Sequence, residues 1–176
     1  MPKYTGPEKE KILDPFRIAL RIEIEGKRFL LSAAASAQHS VARRTFEYLA
    51  SEEDTHAAKI QLMYQAIAET GDSIDAETDE REASHKIQRF NERLADLKDT
   101  VRATAGDIEA YKAALAMEQD TEDFYHEKIK ETDDENIKRI YRYLIAEERA
   151  HSVMLESCLR FLEDPAAWFA THKSGA

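Results

Sequence analysis

The chain has 176 residues, with 35 Asp and Glu against 25 Lys and Arg and a net charge of −10. That length suits one domain with a core of its own, and the negative charge argues against a nucleic-acid partner, whose phosphates would be repelled. Five Gly, four Pro and 34% charged residues favour helix over sheet, while a single cysteine, Cys158, excludes a disulfide framework and a Cys₄ iron or zinc site within the sequence.

The first dozen residues are polar and read as a loose arm. Asp14-Pro15 reads as a helix start, with Asp as N-cap and Pro at the first helical position, and predicts a helix over about 14–37. Its inward row is Phe16, Ala19, Glu23, Gly26, Leu30 and Ala33, the three-four spacing of one helix face. A second helix over about 40–70 takes Ser40 as N-cap and Gly71 as its stop, with Phe46, Leu49, Glu53, His56, Ile60, Met63 and Ile67 inward. Residues 71–80 are turn-like. An extra amphipathic helix follows over about 80–102, its narrow stripe made of Ile87, Phe90, Leu94, Leu97 and Val101. Such a stripe suits either a second subunit, giving a homodimer, or the chain's own bundle.

The third bundle helix is predicted over about 107–131, capped by Asp107, with Tyr111, Ala114, Glu118, Thr121 and Tyr125 inward. The fourth runs over about 134–163, from the Thr132-Asp133-Asp134 cap to Asp164-Pro165, and presents Tyr141, Leu144, Glu148, His151, Leu155, Cys158 and Leu162. Beyond it, Trp168 and Phe169 are expected to pack back on the body. The expectation is an all-α, four-helix bundle in one domain, with one additional helix between its halves.

Those halves correspond. Glu23, Glu53 and His56 recur as Glu118, Glu148 and His151, each 95 positions on, and the flanking apolar residues follow the same offset. In both rows a carboxylate interrupts an apolar seam, where it has to be protonated, paired or metal-bound. Glu and His three apart share a helix face. Four carboxylates and two imidazoles from two Glu and two Glu-x-x-His elements are the side-chain set that holds two metal ions inside a four-helix bundle. Oxygen-rich ligation with one imidazole per ion suits iron or manganese and admits zinc. Glu53 and Glu148, each beside its His, are candidates to bridge the ions, and the spacing leaves open which carboxylates bridge and which are terminal. The competing reading is a metal-free bundle with buried Glu–His pairs. Glu82-Ala83-Ser84-His85 shows what a chance match looks like: the spacing is right, but it lies off the apolar stripe and has no repeat partner.

Tyr125 lies on the face of Glu118, seven residues on, and is a candidate hydrogen-bond donor to the centre. Tyr111, Tyr141 and Cys158 read as core. Glu25, Glu52, Glu122 and Glu147 read as solvated faces, and His39, His126 and His172 as surface residues. No run of about 18 apolar residues suggests a membrane span. The N-terminus lacks the apolar core of a signal peptide, so a cytoplasmic protein is expected.

The doubled Glu…Glu-x-x-His motif resembles that of the ferritin-like diiron superfamily. Ala-x-x-x-Glu-x-x-Gly-x-x-Phe at 19–29 and Ala-x-x-x-Glu-x-x-x-x-x-Phe-Tyr at 114–125 are similar to rubrerythrins, the resemblance covering about residues 14–163. It implies a ferritin-like bundle holding two iron ions on Glu23, Glu53, His56, Glu118, Glu148 and His151. It also implies an oxidoreductase acting on H₂O₂ or O₂, peroxide reduction above all. Iron oxidation for storage or detoxification, and a non-catalytic helical module that keeps its metals for stability, are the alternatives. Two departures stand out. Rubrerythrins commonly carry a further Glu one turn after the third-helix ligand, where this chain has Thr121. They also commonly carry a rubredoxin-like Cys₄ module, and a sequence with one cysteine implies a separate electron donor.

Overall fold

The computed structural model describes residues 6–70, 85–92 and 104–172. Helix accounts for nearly all of them: α1 (Gly6–Ser36), α2 (Ser40–Thr70), α3 (85–92), α4 (Ala105–Lys130), α5 (Glu135–Glu163) and α6 (Pro165–His172). Among the described residues there is no strand. The three-four rows bury as their spacing dictates. Phe16, Ala19 and Leu30 of α1 are fully buried, as are Phe46, Leu49, Ile60 and Met63 of α2. Each such large side chain contributes about 1.5–3 kcal/mol by leaving water.

Two apolar clusters form, one at each end of the bundle. The first joins Leu30, Phe46, Tyr111, Leu155 and Cys158, and the second joins Phe16, Ile60, Tyr125, Ile140 and Leu144. Thus α1 and α5 run from the second cluster to the first, while α2 and α4 run from the first to the second. Neighbouring helices therefore run antiparallel around the bundle. α2 finishes at the second cluster and α4 starts at the first, so the connection between the halves has to return along the bundle's length, about 45 Å for a helix of 31 residues. Ile87 and Phe90 of α3 pack on the first cluster, with the Phe90 ring 5.9 Å from that of Tyr48. This part of the narrow stripe is covered by the chain's own bundle. Leu94, Leu97 and Val101 lie outside the described residues.

Helix ends show where local rules yield to packing. α1 starts at Gly6, well before the predicted Asp14-Pro15 start, and Pro15 lies inside it. The proline leaves one backbone carbonyl without its helical donor. The earlier turns offset that loss, since Leu13 buries in the second cluster with Ile12 against it, and Arg17 pairs with Glu10 at 2.7 Å and Asp14 at 3.1 Å. α4 begins at Ala105 because Thr104, not Asp107, is its N-cap. Asp107 completes a capping box from the third helical position. Its other oxygen accepts the backbone N–H groups of Gln38 and His39, which ties the start of α4 to the α1–α2 turn. His39, predicted at the surface, is buried because its Nδ1 accepts the N–H of Val41 at the head of α2. Ser40 is the first residue of α2 and not its cap. Asp134 caps α5 as predicted, its carboxylate accepting from Asn136 and Ile137. In α6, Trp168 buries against Phe161 and donates to Ser157 Oγ, which in turn donates to Asn91. The tail and α3 are thereby fastened to α5. No helix among the described residues is long and apolar enough to cross a membrane.

Candidate metal centre

Between the two apolar clusters lies one polar layer. Glu23, Glu53, His56, Glu118, Glu148 and His151 come from four different helices, and none is more than 2% exposed. A carboxylate isolated at such depth would cost several kcal/mol, so the layer persists only because its members face one another. His56 Nδ1 lies 3.0 Å from Glu23 Oε2 and 3.4 Å from Glu53 Oε2. His151 Nδ1 lies 3.4 Å from Glu53 Oε1 and 3.6 Å from both Glu118 and Glu148. The two imidazoles stack with centroids 5.1 Å apart.

The donor atoms sort into two overlapping groups of four. Glu23, Glu53, His56 and Glu148 form one, and Glu53, Glu118, Glu148 and His151 the other, with the atoms of each within 4.8 Å of one another. Glu53 and Glu148 belong to both. Several of these atoms lack a hydrogen-bond partner: Glu118 Oε1, Glu148 Oε2, and both ring nitrogens of His151. Buried polar atoms left this way are costly, and four of them converge in this one layer. Hard carboxylate oxygens with one imidazole per group are a donor set that fits iron or manganese and also zinc. All six residues singled out in the sequence are therefore brought together. Of the chance match, His85 is exposed and Glu82 lies outside the described residues.

The protein groups alone divide the charge unevenly. Burial drives Glu23 up to about 7, against the pull of His56. Burial, and then the charges of Glu23 and Glu118, hold Glu148 well above the usual carboxylate range. Glu53 goes the other way, because the imidazoles of His151 and His56, each 3.4 Å from its carboxylate, outweigh the cost of its burial. Both imidazoles are raised well above their ordinary value despite burial, His56 by Glu147 and Glu23, and His151 by Glu118. A cluster that keeps protons where cations would suit it is a cluster ready to exchange them for metal.

Tyr125 is fully buried and its hydroxyl donates to Glu23 Oε1 at 2.7 Å. Burial and the neighbouring carboxylates raise its phenol well above the ordinary value, so it remains a donor. Tyr125→Phe is expected to keep the fold and lower unfolding free energy by about 1–3 kcal/mol, since Glu23 loses a partner it cannot replace. Urea denaturation of the two proteins checks this.

Three carboxylates read from the sequence as solvated are not so. Glu147 is 9% exposed, and its Oε2 lies 3.3 Å from His56 Nε2 and 2.8 Å from Lys86 Nζ. Lys86 also pairs with Glu52 at 2.8 Å. Glu122, only half-buried, accepts from Arg149. Glu25 is exposed as expected, and so is His126. The His172 side chain lies outside the described residues. Glu52 and Glu147 were findable: each directly precedes a candidate ligand, and the same offset of 95 relates them. Lys86 lies outside the repeat and gives no such signal. Thr121 donates to the Met117 carbonyl within its own helix. It lines a groove of about 610 Å³ between α1 and α4 with Ile22, Gly26, Met117 and Phe124. A Cβ at Gly26 would sit 3.8 Å from Glu53 Oε1 and 3.9 Å from Met117 Cε, so the groove passes close to the carboxylate.

A family model described as rubrerythrin matches residues 14–159. Comparison with curated proteins and with solved structures finds no match.

Proposed function

The chain belongs to the rubrerythrin family, a ferritin-like diiron family, and from that premise we propose that it is a diiron oxidoreductase that reduces hydrogen peroxide to water with electrons from a separate donor protein. The observation that carries this reading is the pair of four-donor groups sharing Glu53 and Glu148. Glu23 and His56 would hold one iron and Glu118 and His151 the other, with Glu53 and Glu148 within reach of both. When bound, two ferrous ions supply the two electrons that, with two protons, turn H₂O₂ into two waters.

The protein's own part is positioning and exclusion. Apolar clusters at both ends of the layer keep bulk water from the centre. The His rings present Nδ1 to the carboxylate cage, and the Tyr125 hydroxyl fixes Glu23 without surrendering its proton. The groove lined by Gly26 lies close to the Glu53 carboxylate and is the route by which a small oxidant would approach.

A second reading, iron oxidation by O₂, is favoured by one observation. The position where related proteins commonly carry a further Glu holds Thr121, whose hydroxyl is spent on its own helix. Stopped-flow oxidation of the iron-loaded, reduced protein separates the two. Faster oxidation by H₂O₂ than by O₂ at equal concentration, with two electrons taken per peroxide, is the expected result. Faster oxidation by O₂ overturns the peroxidase reading in favour of the second.

A further inference from the structure

His56 is held from both sides. Its Nδ1 faces Glu23 and Glu53, and its Nε2 faces Glu147 Oε2 at 3.3 Å. An imidazole whose far nitrogen is bonded to a carboxylate is fixed in both ring orientation and tautomer, so that the near nitrogen is offered to a metal. The fixing carboxylate needs fixing in turn. Glu147 projects from α5, next to the candidate ligand Glu148, at the edge of a site already crowded with negative charge. Lys86 supplies the neutralising charge, reaching in from α3 with Nζ 2.8 Å from Glu147 Oε2 and 2.8 Å from Glu52 Oε2. All three side chains are largely buried, at 14% exposure for Lys86, 11% for Glu147 and 16% for Glu52.

The geometry has a second half. Glu52 is the counterpart of Glu147 under the 95-residue repeat and directly precedes Glu53. One ammonium thus spans the two halves of the molecule, gripping the residue before each shared carboxylate. We infer that Lys86 is a positioning residue for the metal centre, holding Glu147 against His56 and binding α2 to α5 across the repeat by way of Glu52. It touches neither metal nor oxidant and acts through those two carboxylates. The inference rests on the two-metal reading of the centre above.

The test uses the full chain and Co²⁺ as probe, titrated against a chromophoric chelator, with the visible ligand-field bands of the bound ion as a second readout. Lys86→Met is expected to weaken Co²⁺ binding by about 10–100-fold, the usual cost of losing an outer partner of a metal ligand, and to alter the bands. Lys86→Arg, which keeps the cation, is expected to recover most of that loss. In a Glu52→Gln/Glu147→Gln background, Lys86→Met is expected to change affinity by no more than about twofold, because the groups it acts through are gone. Wild-type affinity and bands in Lys86→Met would overturn the inference, as would failure of Lys86→Arg to recover binding, or an undiminished loss in the double-Gln background. An unsubstituted protein that binds no Co²⁺ would overturn the two-metal reading and this inference together, which distinguishes that failure from the others.

Discussion

Glu53→Ala is expected to lower bound iron from about two ions per chain to fewer than one. Every group of donors that converges in the polar layer includes Glu53, so one substitution removes a donor from both positions. Glu118 enters only one group, and Glu118→Ala should cost about one ion. Glu148→Ala should resemble Glu53→Ala, and His151→Ala should resemble Glu118→Ala. Alanine is the best helix former and the substitution removes a buried charge, so far-ultraviolet circular dichroism should be unchanged. Metal analysis after anaerobic iron loading checks the set. Equal losses from Glu53→Ala and Glu118→Ala would show that Glu53 is not shared, and full metal content in both would sink the site assignment.

The metal-free protein is expected to lose stability as pH rises from about 5 to about 8, the reverse of what metal binding does. Glu23, Glu148, His56 and His151 all have folded-state pKa values above their ordinary ones. A group raised in this way binds its proton more tightly folded than unfolded. Its contribution is complete below the unfolded pKa and is lost as pH rises through the folded one. Glu23, moved by burial from 4.5 to about 7, accounts by itself for something on the order of 3 kcal/mol across that window. Glu53 and Glu147 are shifted downward, and their contribution is lost only on acidification below the usual carboxylate range, outside the window. Metal binding displaces the protons, so affinity should climb over the same interval. Urea denaturation at pH 5.5 and 8, with and without metal, reads both effects. A metal-free protein more stable at pH 8 would contradict the charge distribution described for the layer.

The six candidate ligands were legible because two independent regularities agree on them. Helical spacing places each in an apolar seam, and the offset of 95 relates one half to the other. The bundle itself follows from the same seams. What escaped the sequence has physical causes that local patterns do not carry. Asp14-Pro15 has the chemistry of a helix start, yet the burial of Leu13 extends α1 past it. Asp107 has the chemistry of an N-cap, yet Thr104 takes that place and leaves Asp107 to hold the α1–α2 turn. Glu147 lies among buried residues of α5, and its cationic partner Lys86 arrives from a helix distant in sequence. A charged residue of this kind declares itself through its partner, and the partner is a fact of tertiary structure.

The reciprocity of the polar layer has a consequence for how such a molecule can vary. Each helix pair supplies three of its own donors and borrows the fourth from the other, Glu148 for one group and Glu53 for the other. That is the pattern of an isologous contact between identical subunits about a twofold axis, written here within one polypeptide. Two identical subunits must accept every substitution twice. Joined in one chain, the halves are free to differ, and they do. The position that is Tyr125 in one half, bonded to Glu23, is Leu30 in the other, packed in the apolar core. Covalent linkage thus lets a symmetric cage carry a one-sided environment.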